Sequence, residues 1–183
     1  MTCKLCGEKK KLIKSHIIPE SFFRESSGGE GAHLVSSNPD KFPKRAPIGV
    51  YDPSILCTDC ESRFSQLDNY GYEVFVSKYE TLFQPLFEDA KLVGYTSLTT
   101  DRDKLHQFLL SVLWRASVST QVFYSKVNLG PHQDSVKHLI FNYEVAAASK
   151  YSVVLARWVS SEEHEPATKA VSERPRHLDA ALV

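Results

Sequence analysis

Residues 51–64 read Tyr51-Asp52-Pro53-Ser54-Ile55-Leu56-Cys57-Thr58-Asp59-Cys60-Glu61-Ser62-Arg63-Phe64, and this stretch decides how the chain is organised. An extended, apolar run enters a Cys-x-x-Cys pair, and from Thr58 onward Phe64, Leu67, Val74 and Phe75 recur at roughly helical spacing. The stretch is therefore a strand that turns through a pair of thiols into a helix. One partner for that pair exists in the sequence, Cys3-x-x-Cys6, and all four cysteines fall in the two pairs. Pairs of thiolates separated by two residues are the geometry of a zinc knuckle, and no βαβ pattern surrounds them to favour a redox motif. Cys3, Cys6, Cys57 and Cys60 are expected to hold a structural Zn²⁺. The interval between the pairs is about three times that of a compact finger, so the metal ties together segments distant in sequence.

Working outward from the pairs, Gly7 follows the second cysteine of the first knuckle, where a positive φ lets backbone amides turn toward sulfur. Residues 12–18 suit a short strand, which Pro19 ends, and residues 19–24 can open a helical turn with proline in first position. Residues 25–49 are rich in Gly, Ser and Pro, with one possible short strand at His33, Leu34 and Val35. A loop of this length is usually functional or disordered, and here the proposed metal clamps its ends. Residues 50–57 form the second strand, interrupted by Asp52-Pro53.

Downstream, Gly71 is a weak point in the helix that follows Cys60, costing about 1 kcal/mol relative to Ala. Residues 81–100 are mixed, broken by Pro85 and Gly94. Residues 101–120 carry the clearest helical stripe, Leu105, Phe108, Leu109, Val112, Leu113 and Ala116, with Asp101 or Asp103 as N-cap. Gly130-Pro131 starts a further helix over 131–149, residues 151–159 read as a strand, and 160–183 is a polar tail without a period. The expected class is α+β: a zinc-binding module over residues 1–80, then a mostly helical extension over 81–183 with a terminal strand and a loose tail.

At 183 residues and 42% apolar, the chain has the composition of a soluble globular protein. Its formal net charge of zero gives no overall signature of nucleic-acid binding. The charge is uneven, however: residues 1–50 hold nine Lys and Arg against five acids. Lys9, Lys10, Lys11, Lys14, Lys41, Lys44 and Arg45 are candidate phosphate contacts, with a solvated face as the plainer alternative. No apolar leader and no run of ~18–20 apolar residues is present, so no membrane segment is expected. A cytoplasmic location follows, where reduced thiols favour metal over disulfide. His33, His106, His132 and His138 have no spacing that forms a further metal site.

Taken together, Cys3-x-x-Cys6-Gly7, the run Lys14-Ser15-His16-Ile17-Ile18-Pro19, a long loop, and Ile55-Leu56-Cys57-x-x-Cys60-Glu61 at the head of a helix resemble the HNH endonucleases with a four-cysteine zinc site. The resemblance covers residues 3–64, and Leu113-Trp114-Arg115-Ala116-Ser117 with Asn128-Leu129-Gly130-Pro131 is similar to the helical extension of bacterial and phage proteins of that kind. It implies a ββα-metal module that hydrolyses DNA phosphodiester bonds, double-stranded DNA being the expected partner, in a defence or mobile-element setting. It also implies His16 as general base and a catalytic Mg²⁺ or Mn²⁺ held by Glu61, with Ser15 where the family commonly has Asp. Asp52, at the place of a loop-constraining Asn, would orient His16 or support the ion from outside. The helical region would position DNA, form a homodimer or bind a protein partner. The alternative from a different class is a catalytically silent zinc-stabilised scaffold that binds or regulates. Neutral Ser15 and the zero net charge favour it.

Overall fold

A computed structural model describes residues 1–26, 34–35, 44–45, 48–143 and 150–155. Strand β1 (Leu12–His16) runs into helix α1 (Glu20–Ser26), whose first residue follows Pro19. Two short strands, β2 (Leu34–Val35) and β3 (Lys44–Arg45), pair with each other. β4 (Tyr51–Cys57) then pairs antiparallel with β1 and passes directly into helix α2 (Thr58–Tyr72). The Asp52-Pro53 interruption is visible in the ladder, because Ile13 faces Leu56 while Ser15 faces Asp52. Proline has no N–H to give to a ladder, and the Asp52 carboxylate instead accepts the Ser54 amide at 2.8 Å. Gly7 has φ of 78° and its amide reaches the Cys3 carbonyl at 2.9 Å, closing the first knuckle.

α2 continues through a π-type turn (Glu73–Ser77) into the short α3 (Tyr79–Leu82). Residues 81–100, mixed in sequence, contain a hairpin of β5 (Gln84–Glu88) and β6 (Lys91–Thr96). α4 (Arg102–Val118) begins at an Asp101 cap, whose carboxylate accepts the Lys104 amide at 3.1 Å. Pro131 lies in a single 3₁₀ turn, and α5 covers Gln133–Asn142, shorter than the helix expected over 131–149. Tyr143 ends it in the left-handed conformation (φ 53°), and residues 144–149 lie outside the described part. The strand expected over 151–159 is not formed at residues 151–155. There the Tyr151 carbonyl accepts from His106 Nε2 at 2.6 Å instead of joining a ladder. Residues 156–183 are outside the described part.

The architecture is α+β, with small antiparallel sheets and helices over one core. That core runs without a break from Cys3 and Leu5 through Ile17, Ile55, Leu56 and Phe64 to Phe108, Trp114, Val136 and Ile140. The N-terminal module and the helices after residue 80 thus share apolar packing, with α4 laid on α2 and α5 on α4. Burial along α4 is wider than the apolar stripe alone: Gln107, Ser111 and Arg115, spaced by four, are buried with Phe108, Leu109 and Trp114. Among the described residues no helix is long and apolar enough to cross a membrane.

Candidate functional site

Four thiols converge where the N-terminal turn meets the junction of β4 and α2. The sulfur atoms of Cys3, Cys6, Cys57 and Cys60 all lie within 4.8 Å of one another. Tetrahedral zinc with Zn–S of ~2.3 Å needs sulfurs about 3.8 Å apart, so the cluster has the donors and the size for that ion. Three of the four residues are buried, and the Cys57 amide points at Cys3 Sγ at 3.4 Å. Burial works against ionising Cys3, yet backbone donors from Cys6, Cys57 and Leu5 bring its thiol down to about 7. Cys60 is pushed up by burial and by the neighbouring thiols. Four clustered thiols cannot all ionise unaided, and a divalent cation removes that conflict. The group can hold a metal such as zinc, and among the described residues it is the one cluster of three or more His, Cys, Asp or Glu fit to do so.

A second polar cluster lies one step along the same elements. β1 ends in Ser15 and His16, and the first turn of α2 carries Glu61 immediately after the last cysteine. Ser15 is fully buried, and the Glu61 carboxyl sits beside its hydroxyl and the His16 backbone N–H. Three buried polar atoms here have no hydrogen-bond partner: Ser15 Oγ, His16 Nε2 and Glu61 Oε2. The proximity of Ser15 to Glu61 therefore falls short of a formed bond. Burial raises the Glu61 pKa, and the Arg115 charge, Ser15 and the His16 amide only partly oppose it. Burial likewise lowers the pKa of His16, against the pull of Glu20, whose Oε2 stands 4.0 Å from Nε2. The imidazole is accordingly neutral at pH 7.

Behind this cluster lies a pair that the sequence alone does not connect, although Arg115 reads there as a packing residue between the N-terminal module and the helices. Arg115, fully buried on α4, donates to both carboxylate oxygens of Asp68 on α2 at 3.0 and 2.6 Å, and to the His16 carbonyl at 3.1 Å. Its remaining contacts are the Ser111 carbonyl and hydroxyl, both at 3.3 Å, and the Phe64 ring. One guanidinium therefore ties α4 to α2 and to the last residue of β1. The available signal was the Gln107-Ser111-Arg115 spacing inside an otherwise apolar helix. A polar row on a buried face needs buried partners.

Asp52 is the ladder partner of Ser15, but its carboxylate is spent on other groups. It is fully buried, and its carboxylate accepts from the Ser54 amide and hydroxyl, the Thr120 amide and hydroxyl, and the Ser119 hydroxyl. Those donors outweigh the effect of burial and lower its pKa. The residue clasps β4 to the chain leaving α4, and none of these bonds runs to His16. Of the basic candidates, Lys10 pairs with Glu8 and Asp59, and Lys14 lies over the Tyr51 ring. Lys41 falls outside the described residues, as do the side chains of Lys44 and Arg45.

No protein-family model matches the chain, and neither the curated proteins nor the solved structures include a match.

Proposed function

We propose that the chain is a metal-dependent endonuclease of the HNH kind, in which the cysteine-held zinc is scaffold and the Ser15–His16–Glu61 cluster is the working site. The observation that carries this is that three buried polar atoms, on Ser15 and His16 at the end of β1 and on Glu61 at the head of α2, have no hydrogen-bond partner. Leaving one such group unsatisfied costs about 1–3 kcal/mol, so three together mark a place built to be completed by something else. The order of β1, β4 and α2, with the knuckles at one end, supports the ββα-metal reading.

In this reading His16 Nε2 takes a proton from a water molecule, and the resulting hydroxide attacks a DNA phosphorus. Neutral imidazole is the competent form, and burial favours it. Glu61, with the Ser15 hydroxyl, would hold Mg²⁺ or Mn²⁺. The ion would supply charge stabilisation at the phosphate and the leaving oxygen. A single carboxylate plus substrate oxygens and water is an ordinary environment for Mg²⁺. Arg115 acts from behind, fixing the backbone of His16 and adding positive charge near Glu61.

The second reading is a silent HNH-like scaffold that binds a partner. Two observations favour it: Ser15 offers a neutral oxygen where a carboxylate would bind an ion better, and Asp68 is committed to Arg115. Incubating supercoiled plasmid with the zinc-loaded protein and Mg²⁺ or Mn²⁺ separates the two. The nuclease reading expects metal-dependent nicking that His16→Ala removes, and no nicking with either ion selects the scaffold.

A further inference from the structure

Between the first knuckle, the end of α4 and the start of α5 lies a cavity of about 630 Å³, bordered by Lys4, Trp114, Gln133, Asp134 and Lys137. Its volume is that of a ligand pocket, and none of Ser15, His16 and Glu61 lines it. The cysteine cluster fixes one wall, because Lys4 stands between Cys3 and Cys6. Lys4 is held at both ends: its amide donates to the Ile55 carbonyl of β4 at 2.8 Å, and its ammonium to the Val118 carbonyl at the end of α4 at 2.7 Å. An ammonium has three donors, so two of them remain for a ligand. Trp114 borders the same cavity, and its indole N–H is buried without a hydrogen-bond partner. A buried indole N–H ordinarily has an acceptor, and the cavity is where one can be supplied.

Charge and hydrogen-bonding capacity narrow the class of that ligand. The ammoniums of Lys4 and Lys137, the Gln133 amide and the Trp114 N–H are donors, set against the single carboxylate of Asp134. Two cations and one anion leave a single net positive charge in the lining. A phosphodiester, with one negative charge, matches it. A phosphate monoester carries about −1.5 to −2 at pH 7, and Asp134 would repel the excess. Trp114 is the sole aromatic among the lining residues and is only 1% exposed, so the cavity offers no ring face on which a base can stack. It is built for backbone rather than base. We infer that this cavity seats a non-scissile phosphodiester of the DNA backbone, with Lys4 and Lys137 neutralising its charge and the Trp114 N–H donating to one of its oxygens. The inference rests on the reading of the chain as a protein that acts on DNA. A contact of this kind sets the register of the duplex without reading its sequence. It also places positive charge locally, in a chain whose net charge is zero.

The indole N–H signal of Trp114 in a ¹⁵N–¹H NMR spectrum tests this, followed in the full zinc-loaded chain without Mg²⁺ or Mn²⁺ while a short DNA duplex is added. The chain has two tryptophans, and Trp158→Phe identifies which signal belongs to Trp114. The expected result is a shift of that signal on binding. Lys137→Gln should weaken binding several-fold for any duplex sequence and reduce the slope of log affinity against log salt by about one. Trp114→Phe keeps an aromatic ring in the core and removes the donor, so it should weaken binding at unchanged zinc content. The inference is overturned if the duplex does not bind, if the Trp114 signal stays in place at saturation, or if Lys137→Gln leaves the salt slope unchanged. It is equally overturned if inorganic phosphate moves the signal and the duplex does not, because the cavity then takes free phosphate. A wild type that nicks plasmid with the Trp114 signal unmoved fails this inference alone, whereas a shifted signal without nicking fails the nuclease reading alone.

Discussion

Arg115 is a permanently charged side chain with no exposure, and each of its donors must find an acceptor inside the protein. Asp68, the His16 carbonyl and Ser111 provide them. Replacing Arg115 with Met removes one partner of the pair and is expected to cost about 3 kcal/mol in chemical denaturation. Arg115→Lys should recover little of that loss, since an ammonium cannot reproduce the two-pronged contact with Asp68. Asp52 gives a pH dependence with a definite sign. Its folded pKa lies below the ordinary 3.8, so its contribution is fully present above that value and is lost as pH falls through the lowered one. Asp52→Asn should therefore flatten the acid limb of the stability curve, read as thermal midpoint against pH. His16 sets the sign for activity: with its pKa below the ordinary 6.5, cleavage should already be at plateau at pH 7 and fall only below pH 6.5. Legibility at this scale follows from chemistry. The cysteine cluster was readable because few chemistries need four thiols in two such pairs. Arg115 and Asp68 were not, since a single Arg in an apolar helix and a single Asp on another show no pairing until the helices are packed.

Helices α2 and α4 meet at Gly71, and the sequence reading gives only its helix-propensity cost. A Cβ at Gly71 would stand 2.5 Å from the Phe108 ring, which is itself buried at 3% exposure. Gly71→Ala should accordingly destabilise by about 1–3 kcal/mol through overpacking, despite a helix-propensity gain of about 1 kcal/mol. A stabilised Gly71→Ala protein in urea denaturation would contradict this packing. Elements with a local signal were readable in advance: β1, the broken β4, and α4 with its aspartate cap. The β5–β6 hairpin was hidden because its turn, Asp89-Ala90, lacks the glycine that usually announces one. The end of α5 at Tyr143 was hidden for a similar reason, since a tyrosine there takes the left-handed conformation a glycine normally supplies.

Across the whole molecule, the cysteine cluster joins the N-terminal turn to the start of α2, and the shared core joins both to α4 and α5. Metal analysis should find one zinc per chain, and a chelator should lower the thermal midpoint of the entire protein rather than loosen the N-terminus alone. Cys3→Ser should reproduce that loss. Zinc content also provides the control for function, because a variant that keeps its zinc has kept the scaffold. The most direct measurement is the rate of DNA cleavage with Mn²⁺ for wild type and His16→Ala at equal zinc content. The account predicts a fall of about 10²-fold or more on losing the base. Equal rates in the two proteins, or no cleavage by either, would contradict it.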